Sequence, residues 1–144
     1  MILIAHRGNF EGRNIKSENE PEYVNKALEK GFEVEIDVWF KNNEWWLGHD
    51  KPEYKTDLEF LKKKGLWCHA KNLLALEELL KNKIHCFWHE EDERVVTSKG
   101  YIWTYPGKEL GKNSIAVMPE WVDGWDVSDA LGVCSDNLTS YVDK

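Results

Sequence analysis

The chain has 144 residues, of which 42% are hydrophobic and 12% aromatic, and it carries a formal net charge of −7. This length and apolar content are enough for one hydrophobic core, so we predict a single domain over residues 1–144. A negatively charged chain without a basic stripe is unsuited to a phosphate backbone, which excludes nucleic acid as the main partner. The apolar run after Met1 is too short for a signal peptide or a membrane span, so we predict a cytoplasmic protein with no transmembrane segment.

The first half of the chain alternates between strand and helix patterns. Apolar, β-branched runs predict strands over residues 2–6, 32–40, 45–47, 66–70 and 84–88, and apolar residues at helical spacing predict helices over 20–30, 56–64 and 73–81. Pro21 suits the first turn of the first helix, Gly31 ends it, and Thr56 is the predicted cap of the second helix. Such alternation of strands and helices favours a parallel sheet.

The second half of the chain is rich in strand patterns and poor in helical ones. Residues 94–97 and 101–105 are predicted to form a hairpin, and residues 114–118 and 131–134 are predicted to be short strands. The predicted inner strands begin at Ile2, Phe32, Leu66, Ile84, Tyr101, Ser114, Trp125 and Leu131. Eight is the number that closes a TIM barrel, which usually needs about 250 residues. We therefore expect an α/β fold, a compact and helix-depleted (β/α)8 barrel, whose uncovered apolar wall favours a homo-oligomer.

Charged and polar residues gather at the ends of the predicted strands. His6 and Arg7 end the first strand, and Glu35 and Asp37 project to the same side near the end of the second. His69 and Lys71 do likewise at the end of the third strand. Because the chemistry of a barrel lies at the carboxyl ends of its strands, this clustering is typical of a site for a phosphate ester.

Five short motifs, taken in order, resemble those of the glycerophosphodiester phosphodiesterase family. They are Ala5-His6-Arg7-Gly8, Ser17-Glu18-Asn19, Glu35-Ile36-Asp37-Val38, Gly48-His49-Asp50 and Leu131-Gly132-Val133-Cys134-Ser135-Asp136. That family is related to phosphatidylinositol-specific phospholipase C and to the sphingomyelinase D toxins, which are barrels that use two histidines and usually a divalent cation. The resemblance implies a metal-dependent phosphodiesterase acting on a small-molecule glycerophosphodiester or a related alcohol-linked phosphodiester.

The resemblance also implies a role for each matching residue. His6 and His49 would be the general acid and base, and Arg7 and Lys71 would hold the phosphate oxygens. Glu35 and Asp37 would bind Mg²⁺ or Ca²⁺, and Glu18 would support the site. These roles suit the residue types, because hard cations prefer carboxylate oxygens and phosphates prefer an arginine fork or a lysine charge.

The chain departs from the family pattern at His69, where the family has a third acidic ligand. Either the imidazole is the third ligand, which would shift the preference towards Mn²⁺ or Zn²⁺, or that ligand is missing. His89 and Glu120, which follow other predicted strands, are further candidates for the site. His85 is predicted to line the barrel.

Structural and functional alternatives remain open at this stage. The carboxylates of the second strand would also suit a solvated edge strand, and the histidines would suit satisfied core positions. Cys68, Cys86 and Cys134 lie singly in apolar segments and are predicted to be reduced core residues. The functional alternatives are a non-catalytic barrel that binds phosphate esters without productive metal, or an enzyme similar to lysophospholipase D or sphingomyelinase D. Attack by water and attack by a substrate hydroxyl, which gives a cyclic phosphate, both remain open.

Overall fold

Ten strands form one curled sheet in the computed structural model, which describes residues 1–142. The strands are β1 (Ile2–His6), β2 (Glu33–Lys41), β3 (Glu44–Leu47), β4 (Tyr54–Thr56), β5 (Leu66–Ala70), β6 (Cys86–Phe87), β7 (Arg94–Val96), β8 (Ile102–Thr104), β9 (Ser114–Val117) and β10 (Gly132–Ser135). The helices are α1 (Pro21–Glu29), α2 (Leu58–Leu61), α3 (Leu73–Lys81) and α4 (Thr139–Val142), and a 3-10 helix spans Pro119–Trp121.

Seven of these strands are parallel and lie side by side in the order β6-β5-β2-β1-β10-β9-β8. β3 pairs in the antiparallel sense with the carboxyl-terminal half of β2, and β4 pairs in the same sense with β3. β7 is antiparallel to β8. Because parallel strands end at the same edge, the residues that follow β1, β2, β5, β6, β8, β9 and β10 meet at one end of the curl. The parallel sheet predicted from the sequence is confirmed.

The prediction of a closed (β/α)8 barrel is wrong, because the sheet is open between β6 and β8. The predicted strand at Trp125 lies in a turn region, where the indole Nε1 donates to the carbonyl of Lys108 at 3.1 Å. β6 has only two residues and pairs with β5 alone, while β7 occupies the edge of β8 that closure would need. A hydrogen bond of 2.8 Å from the Ser98 amide to the Cys86 carbonyl crosses the opening.

The longer predicted elements occur within a few residues of their expected bounds. α1 and α3 have nine residues each and are the two substantial helices of the described chain. α3 begins after Asn72, whose side chain accepts a hydrogen bond from the Ala75 amide at 3.2 Å. The second helix is shorter than predicted and is capped by Asp57 rather than Thr56, since Thr56 ends β4.

Alternation along the strands separates two apolar clusters. Val34, Ile36 and Val38 face the outer cluster, which α1 and α3 cover. Ile4 and Trp67 belong to the inner cluster, which fills the inside of the curl. The intervening β2 residues, Glu35 and Asp37, therefore point to the inner side, where they are buried although they are acidic. The cysteines Cys68, Cys86 and Cys134 are free and buried, as predicted.

The surface of the described chain bears on two further predictions. α3 leaves Leu73, Leu74 and Leu80 between 50% and 63% exposed, and the homo-oligomer that would cover such residues stays a prediction. No helix in residues 1–142 has the length and apolarity needed to cross a membrane. The cytoplasmic location stays a prediction.

Buried His85 makes the fold sensitive to acid. Its Nε2 lies 2.7 Å from Thr97 Oγ1, and burial, helped by the charge of Lys99, lowers its pKa from an ordinary 6.5 to about 4. The unfolded chain therefore binds more protons between these two values, so stability falls as the pH drops through this window.

A His85→Gln variant, which keeps a hydrogen-bonding group beside Thr97, tests this sensitivity. Between about pH 7 and about pH 4.5 we expect the free energy of unfolding to fall by about 2 kcal/mol more in the wild type than in the variant, allowing for solvent screening near the surface. Urea denaturation at both pH values measures the difference. Equal losses in the two proteins would contradict the assignment.

Candidate active site

A cavity of about 270 Å³ opens at the carboxyl ends of the parallel strands. It is lined by His6, Arg7, Glu35, Asp37, His49, His69, Phe87, His89, Trp103, Tyr105, Val117, Met118 and Trp121. Sequence analysis selected seven of these thirteen residues as site candidates. The strand-end argument therefore holds although the barrel is not closed.

Strand register brings three potential metal ligands together. Asp37 of β2 is paired with His69 of β5, and His6 of β1 is paired with Glu35 of β2. Neighbouring strands lie about 4.8 Å apart, and residues two apart share a face. Glu35, Asp37 and His69 thus converge on one spot inside the curl.

The three residues fit a single metal ion. Each offers one ligand atom, and these atoms all lie within 4.8 Å of one another. Two ligands of one ion lie at most about 4–5 Å apart, because each metal–ligand distance is about 2.0–2.6 Å. The Oδ1 atom of Asp37 is buried and has no hydrogen-bond partner in the described chain, although His69 Nδ1 lies 3.2 Å away without the alignment of a hydrogen bond. A buried carboxylate oxygen left in this way suits a cation.

The charges of the two carboxylates are unevenly stabilised. Burial alone would raise the pKa of Asp37, but His69, Arg7 and Asn19 outweigh it and hold that pKa well below its ordinary value. Burial and the adjacent charge of Asp37 raise the pKa of Glu35. Two carboxylates so close and so buried repel each other, and a divalent cation between them would relieve that repulsion.

Arg7 is held in place at the floor of the site. Its Nη1 donates to Glu18 Oε1 at 3.1 Å, and its Nε lies 3.4 Å from Asp37 Oδ2. The residue is in the left-handed region with φ 55°, a strained conformation that brings its backbone N–H to Glu35 Oε1 at 3.2 Å. Glu18 is itself buried, which agrees with a supporting role.

Two buried asparagines complete this network, and sequence analysis assigned no role to either. Asn19 makes two hydrogen bonds to Asp37. Its Nδ2 donates to Asp37 Oδ2 at 2.9 Å, and its Oδ1 accepts from the Asp37 backbone amide at 2.9 Å. Asn9 Nδ2 donates to Glu18 at 2.8 Å and to Asp136 at 3.0 Å. These bonds fix the carboxylate of Asp37 and link the loop after β1 to the end of β10.

His6 is oriented by Asp136, which is 130 residues away in sequence. His6 Nδ1 donates to Asp136 Oδ1 at 2.8 Å, and Nε2 is left 4.0 Å from Glu35 Oε1, beyond hydrogen-bond distance. Burial alone would lower the pKa of His6, but the bond to Asp136 and the charge of Glu35 outweigh it and raise the pKa. The His6 ring therefore holds a proton more readily than an ordinary imidazole does.

His49 also lines the cavity, in a more exposed position than His6. Its Nδ1 lies 2.9 Å from Asp50, and its side chain is 43% exposed. Partial burial, together with the charges of Arg7 and Lys71, lowers its pKa. Gly48 precedes it with φ +155° and accepts a hydrogen bond of 2.7 Å from Trp39 Nε1, and a Cβ at Gly48 would collide with the Lys51 carbonyl.

The remaining predicted residues lie at different distances from the cavity. Lys71 does not line it, although its charge lowers the pKa of both His49 and His89. His89 does line it, and its buried Nδ1 has no hydrogen-bond partner in residues 1–142. Glu120 lies outside the lining and instead accepts hydrogen bonds from Ser135 Oγ and the Asp136 amide at 2.8 and 3.1 Å.

Sequence analysis selected neither Asp136 nor the aromatic residues of the cavity as site candidates. Those aromatic residues are Phe87, Trp103, Tyr105 and Trp121. Asp136 comes directly after β10, so the same strand-end rule that selected Asp37 would have found it. Trp103 and Tyr105 are two residues apart at the end of β8 and share a face by the same rule. Trp121 gives no such signal, because it reaches the cavity from the 3-10 helix.

Comparison of the chain with protein-family models, with curated proteins and with solved structures found no match. The resemblance to glycerophosphodiester phosphodiesterases therefore rests on the five motifs alone and stays a prediction.

Proposed function

We propose that this protein is a metal-dependent phosphodiesterase that hydrolyses a glycerophosphodiester or a related alcohol-linked phosphodiester. The observation that carries the proposal is the buried group of Glu35, Asp37 and His69 in a cavity that His6 and His49 also line. The buried Oδ1 of Asp37, which accepts no hydrogen bond within the described residues, supports a cation in that group. The two histidines supply the proton donor and acceptor that phosphodiester hydrolysis requires.

Glu35, Asp37 and His69 would hold the metal. When bound, the cation supplies charge that stabilises the phosphoryl oxygens in the transition state. A set of two carboxylates and one imidazole is compatible with Mg²⁺ but favours Mn²⁺ or Zn²⁺ over Ca²⁺. The arginine beside it, Arg7, has its guanidinium fixed by Glu18 and adds a second positive group for the phosphate. Lys71, which lies outside the cavity lining, adds further positive charge for the phosphate.

The two histidines would divide the proton transfers. His6 carries a proton on Nδ1 that is bound to Asp136, and the same carboxylate stabilises a second proton on Nε2, so His6 is suited to protonate the leaving alcohol. His49 has no buried carboxylate as its partner and remains neutral more readily, so it is suited to accept a proton from the attacking nucleophile. Environments that push two histidines in opposite directions are typical of an acid and base pair.

Hydrolysis assays with controlled metal test the proposal. Glycerophosphodiesters and bis(p-nitrophenyl) phosphate are incubated with protein that has been stripped with EDTA and then given Mg²⁺, Mn²⁺, Zn²⁺ or Ca²⁺. We expect turnover to stop after stripping and to return with at least one of the first three cations. Phosphate-ester binding without turnover under every metal would overturn the proposal and favour a non-catalytic binding protein.

A further inference from the structure

The cavity has two walls of different chemistry. The wall formed by β1, β2 and β5 carries the charged residues of the proposed hydrolytic site. The opposite wall, formed by β6, β8, β9 and the residues that follow them, is mainly aromatic, with Phe87, Trp103 and Val117 each no more than 5% exposed. In the described chain, no residue of that second wall carries a carboxylate or an ammonium group, and its ionisable groups are the His89 imidazole and the Tyr105 hydroxyl.

The rings of this wall are packed against one another. Phe87 stacks on His69 with centroids 5.0 Å apart and leans on Trp103 at 4.8 Å. His89 and Tyr105 are stacked with centroids 3.8 Å apart and planes 19° from parallel. A cage for a quaternary ammonium group needs several open ring faces, and here most faces are already covered. The wall is therefore suited to an uncharged apolar group.

Trp121 forms the open rim of the same wall. Met118 follows β9 in the left-handed region with φ 50°, and this turn starts the 3-10 helix that brings Trp121 to the cavity. The Trp121 side chain is 65% exposed although it is a large apolar residue. Within residues 1–142 its indole makes no ring contact and no hydrogen bond. An exposed indole at the mouth of a site offers apolar area to a ligand at little cost to the fold.

We infer that the aromatic wall is a subsite for an apolar alkyl group esterified to the phosphate, with Trp121 as its specificity-determining residue. This inference rests on the proposed function, because the charged wall must hold the phosphate for the alkyl group to reach the aromatic one. A cavity of about 270 Å³ accommodates a phosphate and a short chain, and a longer chain passes out over Trp121.

Two glycerol phosphodiesters that differ only in the second alcohol test the subsite. We expect the butyl ester to show a KM about tenfold below that of the methyl ester, since each fully buried methylene is worth about fourfold in affinity and the wall covers only part of the chain. Trp121→Ala should remove most of this advantage and leave the KM of the methyl ester within about twofold. Trp121→Phe should restore the lower KM of the butyl ester. Trp46→Ala, at a partly buried tryptophan outside the cavity, should leave the KM of both esters unchanged.

Calorimetric binding of butyl phosphate and methyl phosphate separates failure of the subsite from failure of the proposed function. Metal-dependent turnover of both esters with equal KM values would overturn the subsite and leave the phosphodiesterase intact. Absence of turnover, with butyl phosphate bound more tightly than methyl phosphate in a Trp121-dependent way, would overturn the phosphodiesterase and support the subsite. Absence of turnover with equal binding of the two phosphates would overturn both.

Discussion

Replacing Asp37 with Asn is expected to lower metal affinity by more than about a hundredfold and to reduce hydrolysis to background. Losing an outer partner of a metal ligand already costs about 10–100-fold, and Asp37 is proposed as a ligand itself. The asparagine amide is almost isosteric with the carboxylate. Its oxygen can still accept the hydrogen bond that Asn19 Nδ2 donates to Asp37 in the wild type. The fold should therefore persist while the charge at the site is lost.

Thermal stability gives a readout of this change that does not depend on activity. A ligand at about 100 times its dissociation constant stabilises the native state by about 2.7 kcal/mol. We expect Mn²⁺ to raise the Tm of the wild type and to leave that of Asp37→Asn unchanged. Glu33→Gln is the matched control, because Glu33 lies on the same strand, bonds Trp67 Nε1 at 2.8 Å and stands outside the cavity. An equal rise of Tm in Asp37→Asn would remove Asp37 from the metal site.

The candidate site is predictable from the sequence where it depends on strand ends. His6, Asp37 and His69 each lie at or near the end of an apolar run, and a parallel sheet places all such ends at one edge. Adjacent strands in register then convert a sequence pattern into spatial contact. This argument needs no knowledge of whether the sheet closes, so it survives the loss of the predicted barrel.

Closure of the sheet was not predictable, because it depends on marginal features. The segment at residues 84–88 has the composition of a full strand, but only Cys86 and Phe87 form β6. The backbone amide and carbonyl of Cys86 bond Ser98 rather than a further parallel strand. Trp125 also looks like the start of a strand, yet its indole is bound to the Lys108 carbonyl in a turn. Such tertiary hydrogen bonds override local propensity and leave little trace in the sequence.

Contacts between distant segments are the other part of the site that the sequence conceals. Asp136 orients His6, although the two residues are 130 positions apart in the sequence. Asn9 links Asp136 to Glu18 by donating a hydrogen bond to each. Motif resemblance drew attention to the segment containing Asp136, but only the fold reveals that its partner is His6. Trp121 is concealed for a similar reason, because it comes from the 3-10 helix and not from the end of a strand.

Replacing His6 with Gln is expected to lower kcat for glycerophosphodiesters by about 10²–10⁴-fold, the usual worth of a positioned general acid. Glutamine retains a donor for Asp136 but cannot deliver a proton to the leaving alcohol. The rise of Tm with Mn²⁺ should remain, since His6 is not in the proposed metal group. His85→Gln serves as a control that removes a buried histidine away from the cavity, and it should keep its activity at neutral pH.

The identity of the leaving group distinguishes an acid from a merely structural histidine. p-Nitrophenolate is a good leaving group and needs little protonation, whereas the alkoxide of glycerol needs a proton as its bond to phosphorus breaks. His6→Gln should therefore impair hydrolysis of bis(p-nitrophenyl) phosphate far less than hydrolysis of a glycerophosphodiester. Equal losses with the two substrates would assign His6 a positioning role, and His49, which also lines the cavity, would then be the next proton donor to test.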